Sequence, residues 1–121
     1  MSLDGKTPEE VCREIVAASG SSFAISFRFL PERERRGMEA IYAFCRRTDD
    51  IVDEPGEAEA KHAALRAWHA DLVSETPAEP INRALHAAAE EFRFSLVHPQ
   101  AVIQGCEQDL KGEGFAGFYR L

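Results

Sequence analysis

The sequence predicts an all-α fold of about six helices, and two observations carry that prediction. Apolar residues recur at three- and four-residue spacing in one segment after another. The stretches between these segments hold helix starts and stops rather than hairpin turns, and no convincing strand with a partner is present.

Thr7-Pro8-Glu9-Glu10 opens the first helix with an N-cap, a proline in the first turn and a capping-box glutamate. Val11, Ile15 and Val16 give it a short apolar face, and Gly20 ends it. The segment from Ser21 to Leu30 alternates phenylalanine in a way that would also suit a strand; its helical surroundings favour a short helix. Pro31 opens a long helix to about Asp53, closed by Pro55-Gly56. Residues 58–75 form another, with Ala64, Leu65, Trp68 and Leu72 as its apolar positions. Thr76 to Pro80 is a linker, and Ile81 to about Phe92 is helical, with Ile81, Leu85 and Ala88 on one side. His98-Pro99 begins the last clear helix, which runs through Val102, Ile103 and Cys106 to Leu110. After the loop 111–114, Phe115, Phe118, Tyr119 and Leu121 begin a further apolar element. Domain boundaries usually fall in polar, flexible stretches. The expectation is therefore a single domain over 1–121 that is the front portion of something longer.

The chain has 121 residues, 45% hydrophobic and 29% charged, which suits one soluble domain and excludes a disordered chain. The formal net charge of −7 argues against a nucleic-acid partner. Arg33, Arg35 and Arg36 are interleaved with Glu32, Glu34 and Glu39 and read first as a mixed helix surface; contact with an acidic membrane surface is the alternative. The three cysteines are far apart and follow no ligand spacing, as expected of reduced thiols in a cytoplasmic protein. His62, His69, His86 and His98 also lack ligand spacing and read as surface or cap residues. The N-terminal stretch has no apolar run, so neither a signal peptide nor a transmembrane helix is expected.

Chemistry concentrates in Ala40 to Glu54, where Asp49, Asp50 and Asp53 follow Arg46 and Arg47. At about 100° per residue, Tyr42, Arg46, Asp49 and Asp53 share one stripe of the helix, with Asp50 at its edge. Met38, Ile41, Cys45 and Val52 form an apolar stripe alongside, which reads as a buried row bordering a ligand-capable one. Carboxylates at i and i+4 suit Mg²⁺, which keeps coordination positions for water and phosphate oxygens. An arginine such as Arg46 can clamp a diphosphate in a bidentate manner. A solvated acidic helix end is the bland alternative, although anions are disfavoured at a helix C-terminus.

The stretch from Gly20 to Glu54 resembles the squalene/phytoene synthase family of isoprenoid synthases. The matching blocks are Ser21-Ser22-Phe23, Phe29-Leu30-Pro31, Ala40 to Arg46, and Asp49-Asp50-Ile51-Val52-Asp53, with a further block at Gly105 to Leu110. The resemblance implies a partial isoprenoid-synthase-type helical bundle and head-to-head condensation of two prenyl diphosphates, farnesyl or geranylgeranyl, in carotenoid, squalene or hopanoid biosynthesis. It implies that Asp49, Asp50 and Asp53 bind diphosphate through Mg²⁺, that Ser22 and Arg46 contact the diphosphate, and that Phe23, Phe27 and Tyr42 line the prenyl pocket. Asp49, Asp53 and Tyr42 are thereby the expected catalytic residues. Plain core packing is an equal reading for Phe23 and Phe27.

The family also carries a second aspartate-rich motif on a facing helix, and no residues after Asp109 supply one here. Three expectations follow. The chain belongs to a truncated family enzyme, inactive or nearly so alone; or it is one half of a split enzyme finished by a completing chain; or it is a non-catalytic helical module that binds diphosphates or forms a homo-dimer through an unfinished core.

Overall fold

The computed structural model describes residues 5–111, and they form six α-helices. These are α1 (Pro8–Ala18), α2 (Ser22–Phe27), α3 (Glu32–Asp53), α4 (Ala58–Val73), α5 (Pro80–Phe92) and α6 (Val97–Lys111). The all-α expectation holds, and no strand occurs among the described residues. The apolar element expected from Phe115 onward lies outside them.

Local chemistry sets the boundaries. Thr7 caps α1: its hydroxyl accepts from the Glu10 N–H at 3.1 Å, and the Glu10 carboxylate accepts from the Thr7 N–H at 2.9 Å. Gly20, at φ +65°, turns the chain out of α1 in the left-handed conformation that glycine adopts without a Cβ penalty. Pro31 precedes the first turn of α3, and Pro55-Gly56 follows its end. The segment with alternating phenylalanines is the six-residue α2, and Phe27 is buried at its end.

Helix α3 is the central element, packed against α1, α5, α4 and α6 and, at one end, α2. The core joins Cys12 of α1, Ala40, Ala43 and Phe44 of α3, Leu65, Trp68 and Leu72 of α4, Leu85 of α5, and Ile103 of α6. The Phe44 and Trp68 rings stack with centroids 5.7 Å apart. Between them, the fully buried Thr48 accepts from the Trp68 indole N–H at 3.0 Å and donates to the Phe44 carbonyl at 2.8 Å. Each of these buried polar atoms therefore has a partner. A Cβ at Gly37 would lie 2.8 Å from the Phe92 ring, so glycine is what lets α5 approach α3 there.

The buried face of α3 differs from the expected one. Gly37, Ala40, Ala43, Phe44 and Thr48 face the core, while Met38, Ile41 and Cys45 are exposed and Val52 is half-buried. Small residues take most of the inward positions because α3 is in contact with all five other described helices. Bulky Met38 and Ile41 are left lining two apolar grooves, of about 510 Å³ with Phe92 and Phe94, and about 390 Å³ with Phe94, His98 and Val102.

Other polar residues serve the scaffold. Asp71 accepts from the N–H groups of Ala78 and Glu79 and from the Asn82 side chain, at 2.8, 3.2 and 2.9 Å, tying the 76–80 linker to α4. His86 donates to the Leu72 carbonyl at 2.5 Å, and His69 hydrogen-bonds Gln100 at 3.2 Å. Arg33 pairs with Glu91 and lies over the Phe92 ring, and Arg35 and Arg36 pair with Glu32. The arginine cluster is thus a mixed, ion-paired helix surface.

Candidate active site

The open sector of α3 carries the residues singled out in the sequence. Met38, Ile41 and Cys45 lead along the helix into Asp49 and Asp53, with Tyr42 and Arg46 on the neighbouring flank. All of these except the half-buried Tyr42 are exposed.

Tyr42 is the best-anchored member. Its ring meets that of Phe27 edge-on, with centroids 6.4 Å apart and an interplanar angle of 81°. Hydrogen bonding with the hydroxyls of Ser19 and Ser21, with Arg46 nearby, holds the phenol below its ordinary pKa. Ser19 and Ser21 are themselves joined at 3.1 Å, so the α1–α2 turn presents two hydroxyls to the Tyr42–Arg46 corner. Ser22, one residue on, is exposed and has no such bond. The part Ser19 plays in this corner was not foreseen, because only the three-dimensional turn brings it to Tyr42. Phe23 lies on the same short helix, α2.

The three aspartates divide. Asp50 takes an ion pair with Arg46 at 3.4 Å and lines a cleft towards α4 with Arg47. Asp49 and Asp53 stand one turn apart with no hydrogen bond or ion pair to a described residue. Helix α6 runs beside them in the same direction as α3. Its His98 and Val102 flank Ile41 and Cys45, and Cys106, two turns beyond His98, lies within the field of Asp49 and Asp53. The Cys106 thiol is pushed up first by burial and then by Asp49, Asp109 and Asp53. Asp109, three residues beyond Cys106 on α6, adds to the same field. Cys45 is raised likewise by burial and by Asp49.

Among the described residues, no three His, Cys, Asp or Glu side chains converge as a preformed metal site. Asp49 and Asp53 nevertheless fit a hydrated hard cation. Their oxygens are exposed and uncommitted, they repel one another, and they lie at a helix C-terminus that disfavours anions. The arrangement can therefore offer an apolar groove with two carboxylates one and two turns beyond it, flanked by an arginine and a hydrogen-bonded phenol.

Comparison with known proteins shows the family. The family model "Squalene/phytoene synthase" matches residues 16–119. The chain is 42% identical over 101 residues to a presqualene diphosphate synthase of Zymomonas mobilis, covering 81% of this chain and 35% of that protein. It is 37% identical over 110 residues to a phytoene synthase of Rhodobacter capsulatus, covering 88% of this chain and 32% of the relative. A 15-cis-phytoene synthase of Synechococcus elongatus is 30% identical over 115 residues, 93% of this chain and 37% of the relative. The match thus spans about a third of the length of these curated relatives. No solved structure matches the chain significantly. The family match covers nearly all of the helices described above and every residue of the α3 row, and on that basis the chain belongs to the squalene/phytoene synthase family.

Proposed function

We propose that this chain forms one wall of a prenyltransferase site that condenses two prenyl diphosphates head to head, as the N-terminal part of a squalene/phytoene synthase fold. The single observation that carries the reading is the Asp49–Asp53 pair, which has no ion pair with a described residue and begins one turn beyond Cys45 of an apolar groove. The groove beside Ile41, Cys45 and Val102 takes the prenyl chain. Asp49 and Asp53 hold Mg²⁺, with Asp50 steadying Arg46 beside them. The metal, when bound, neutralises the charge of the departing diphosphate. Arg46 clamps diphosphate oxygens, and the Tyr42 phenol, oriented by Ser19 and Ser21, donates a hydrogen bond to one of them. Ser22 lies at the same turn, within the stretch that meets the diphosphate. The aromatic face of Tyr42, backed edge-on by the buried Phe27, borders the allylic carbon where positive charge develops. An apolar groove keeps water from that carbon.

A diphosphate leaving group needs stabilisation from both sides, and the sequence holds a single aspartate-rich run of this kind. The 121-residue polypeptide is therefore expected to bind a prenyl diphosphate in a Mg²⁺-dependent way and to release no diphosphate. Titration calorimetry with farnesyl diphosphate, with and without Mg²⁺, tests the site. The combined change Asp49→Asn and Asp53→Asn should abolish the metal dependence; unchanged metal-dependent binding would refute the assignment. Clear turnover by the isolated polypeptide would refute the half-site reading alone.

The open apolar grooves beside Met38, Ile41 and Val102 favour a second reading, in which a completing chain or a second copy covers this face. Sedimentation equilibrium of the purified chain would show a concentration-dependent mass if a second copy is the cover, and a monomer if it is not.

A further inference from the structure

Towards the start of α3, Arg35 and Glu39 line a separate cleft of about 570 Å³ between α1, α2 and α3. Arg13 of α1 and Arg28 at the end of α2 are its other charged residues. The cleft shares no residue with the apolar grooves or with the aspartates. Three guanidinium groups thus surround one carboxylate, in a chain whose net charge is −7.

The central pair of this cleft is incompletely bonded. The Glu39 side chain is only 6% exposed, yet its one ion pair with a described residue, to Arg35 Nε, spans 3.8 Å and is too long for a hydrogen bond. That Nε is itself buried and has no hydrogen-bond partner among the described residues. Buried polar groups are ordinarily hydrogen-bonded, and one left without a partner costs about 1–3 kcal/mol. The far end of the Arg35 guanidinium is held by Glu32, which fixes its direction. Arg13 reaches Glu32 only loosely, at 3.8 Å, and Arg28 has no ion pair with a described residue. Burial raises the Glu39 carboxyl, against the opposing pull of Arg35 and Arg13, so its carboxylate is a strong proton acceptor.

A group that bridges Arg35 and Glu39 must accept from the Nε–H and donate to the carboxylate. A fully ionised anion meets the first demand and sets an oxygen against Glu39 in the second. An oxyanion that keeps a proton meets both, and its remaining oxygens can accept from Arg13 and Arg28.

We propose that this cleft binds phosphate in a form that keeps a proton, as inorganic phosphate does at neutral pH, with its oxygens on Arg13, Arg28 and Arg35 and its hydroxyl donating to Glu39. Sulfate has the same shape but no proton at that pH, so the buried carboxylate rejects it. This inference does not depend on the prenyl diphosphate reading, and the cleft needs no Mg²⁺.

Titration calorimetry of the full chain with inorganic phosphate at neutral pH, without Mg²⁺, against sulfate at equal ionic strength, tests it. Saturable phosphate binding is expected, with sulfate about tenfold weaker or more. Glu39→Gln supplies an amide donor in place of the carboxylate and should remove most of the preference for phosphate over sulfate. Arg28→Gln, at an exposed position, should weaken phosphate about fivefold or more. Arg46→Gln, beside the aspartates, should leave phosphate binding unchanged. If Glu39→Gln fails to fold, the comparison of the two ions and Arg28→Gln still decide. No saturable phosphate binding, equal binding of sulfate, an unchanged preference in folded Glu39→Gln, undiminished binding by Arg28→Gln, or equal loss with Arg46→Gln would each overturn the proposal.

Discussion

The two sides of α3 treat polar groups in opposite ways. On the core side, Thr48 is fully buried and fully paired, taking the Trp68 indole and giving its own proton to Phe44. On the open side, Asp49 and Asp53 are exposed and pair with no described residue, although charged residues of the other sign lie within two turns. The same helix thus carries a buried hydroxyl whose bonding is complete within the fold and two exposed carboxylates with no hydrogen bond or ion pair to a described residue. The first face predicts stability effects and no binding effects; the second predicts the reverse.

The largest test removes the centre of the closed face. Trp68→Ala deletes the ring stacked on Phe44 and the donor to Thr48, and should cost about 3–5 kcal/mol. In a chain of this size that is a large part of typical domain stability, so denaturant titration should find the unfolding midpoint at a clearly lower concentration. Thr48→Val is the sharper version. It keeps the shape and leaves the buried indole N–H without an acceptor, at a cost of about 1–3 kcal/mol. If Thr48→Val proved neutral, the closed face would be held by packing alone and the contrast between the two faces would weaken.

Cys12 extends the closed face into α1. Burial first, then Glu9 and Glu39, raise its thiol from 9.0 to about 12. The unfolded chain loses that proton near pH 9, while the folded chain keeps it. Stability from this group is therefore complete below pH 9 and falls as pH rises from there towards 12. Cys12→Ala should flatten that part of the alkaline denaturation curve. An unchanged slope would show that Cys12 is reached by solvent.

What the sequence could disclose follows the same division. Helix boundaries were legible because their causes are local: the Thr7 capping box, Pro31 before α3, and Pro55-Gly56 after it. The row Tyr42, Arg46, Asp49, Asp53 was legible because 3.6-residue periodicity needs no knowledge of neighbours. The inward face of α3 was not, because hydropathy ranks Met38 and Ile41 above Gly37, Ala40 and Thr48. Close approach of helices selects for small volume rather than for hydropathy, as the Gly37–Phe92 contact shows. The approach of Ser19 to Tyr42, and of Cys106 to the acidic end, was hidden for a different reason. Each depends on the packing of one element on another, which no local pattern encodes.

The smallest expected effects separate the aspartates from one another. Asp50 is paired with Arg46 one turn back, whereas Asp49 faces the like charge of Asp53 one turn ahead, and all three lie near the C-terminus of α3. Asp50→Asn loses an exposed ion pair while relieving the helix dipole, so its change should be near zero or slightly destabilising. Asp49→Asn relieves both the dipole and the repulsion, and should stabilise by a few tenths of a kcal/mol, on the order seen for such pairs. Paired denaturant titrations at low ionic strength would resolve the difference in sign, and added salt should shrink it. A carboxylate whose removal makes the protein more stable serves something other than folding. If Asp49→Asn instead destabilised the chain, Asp49 would hold a structural partner, and the open face would be as self-contained as the closed one.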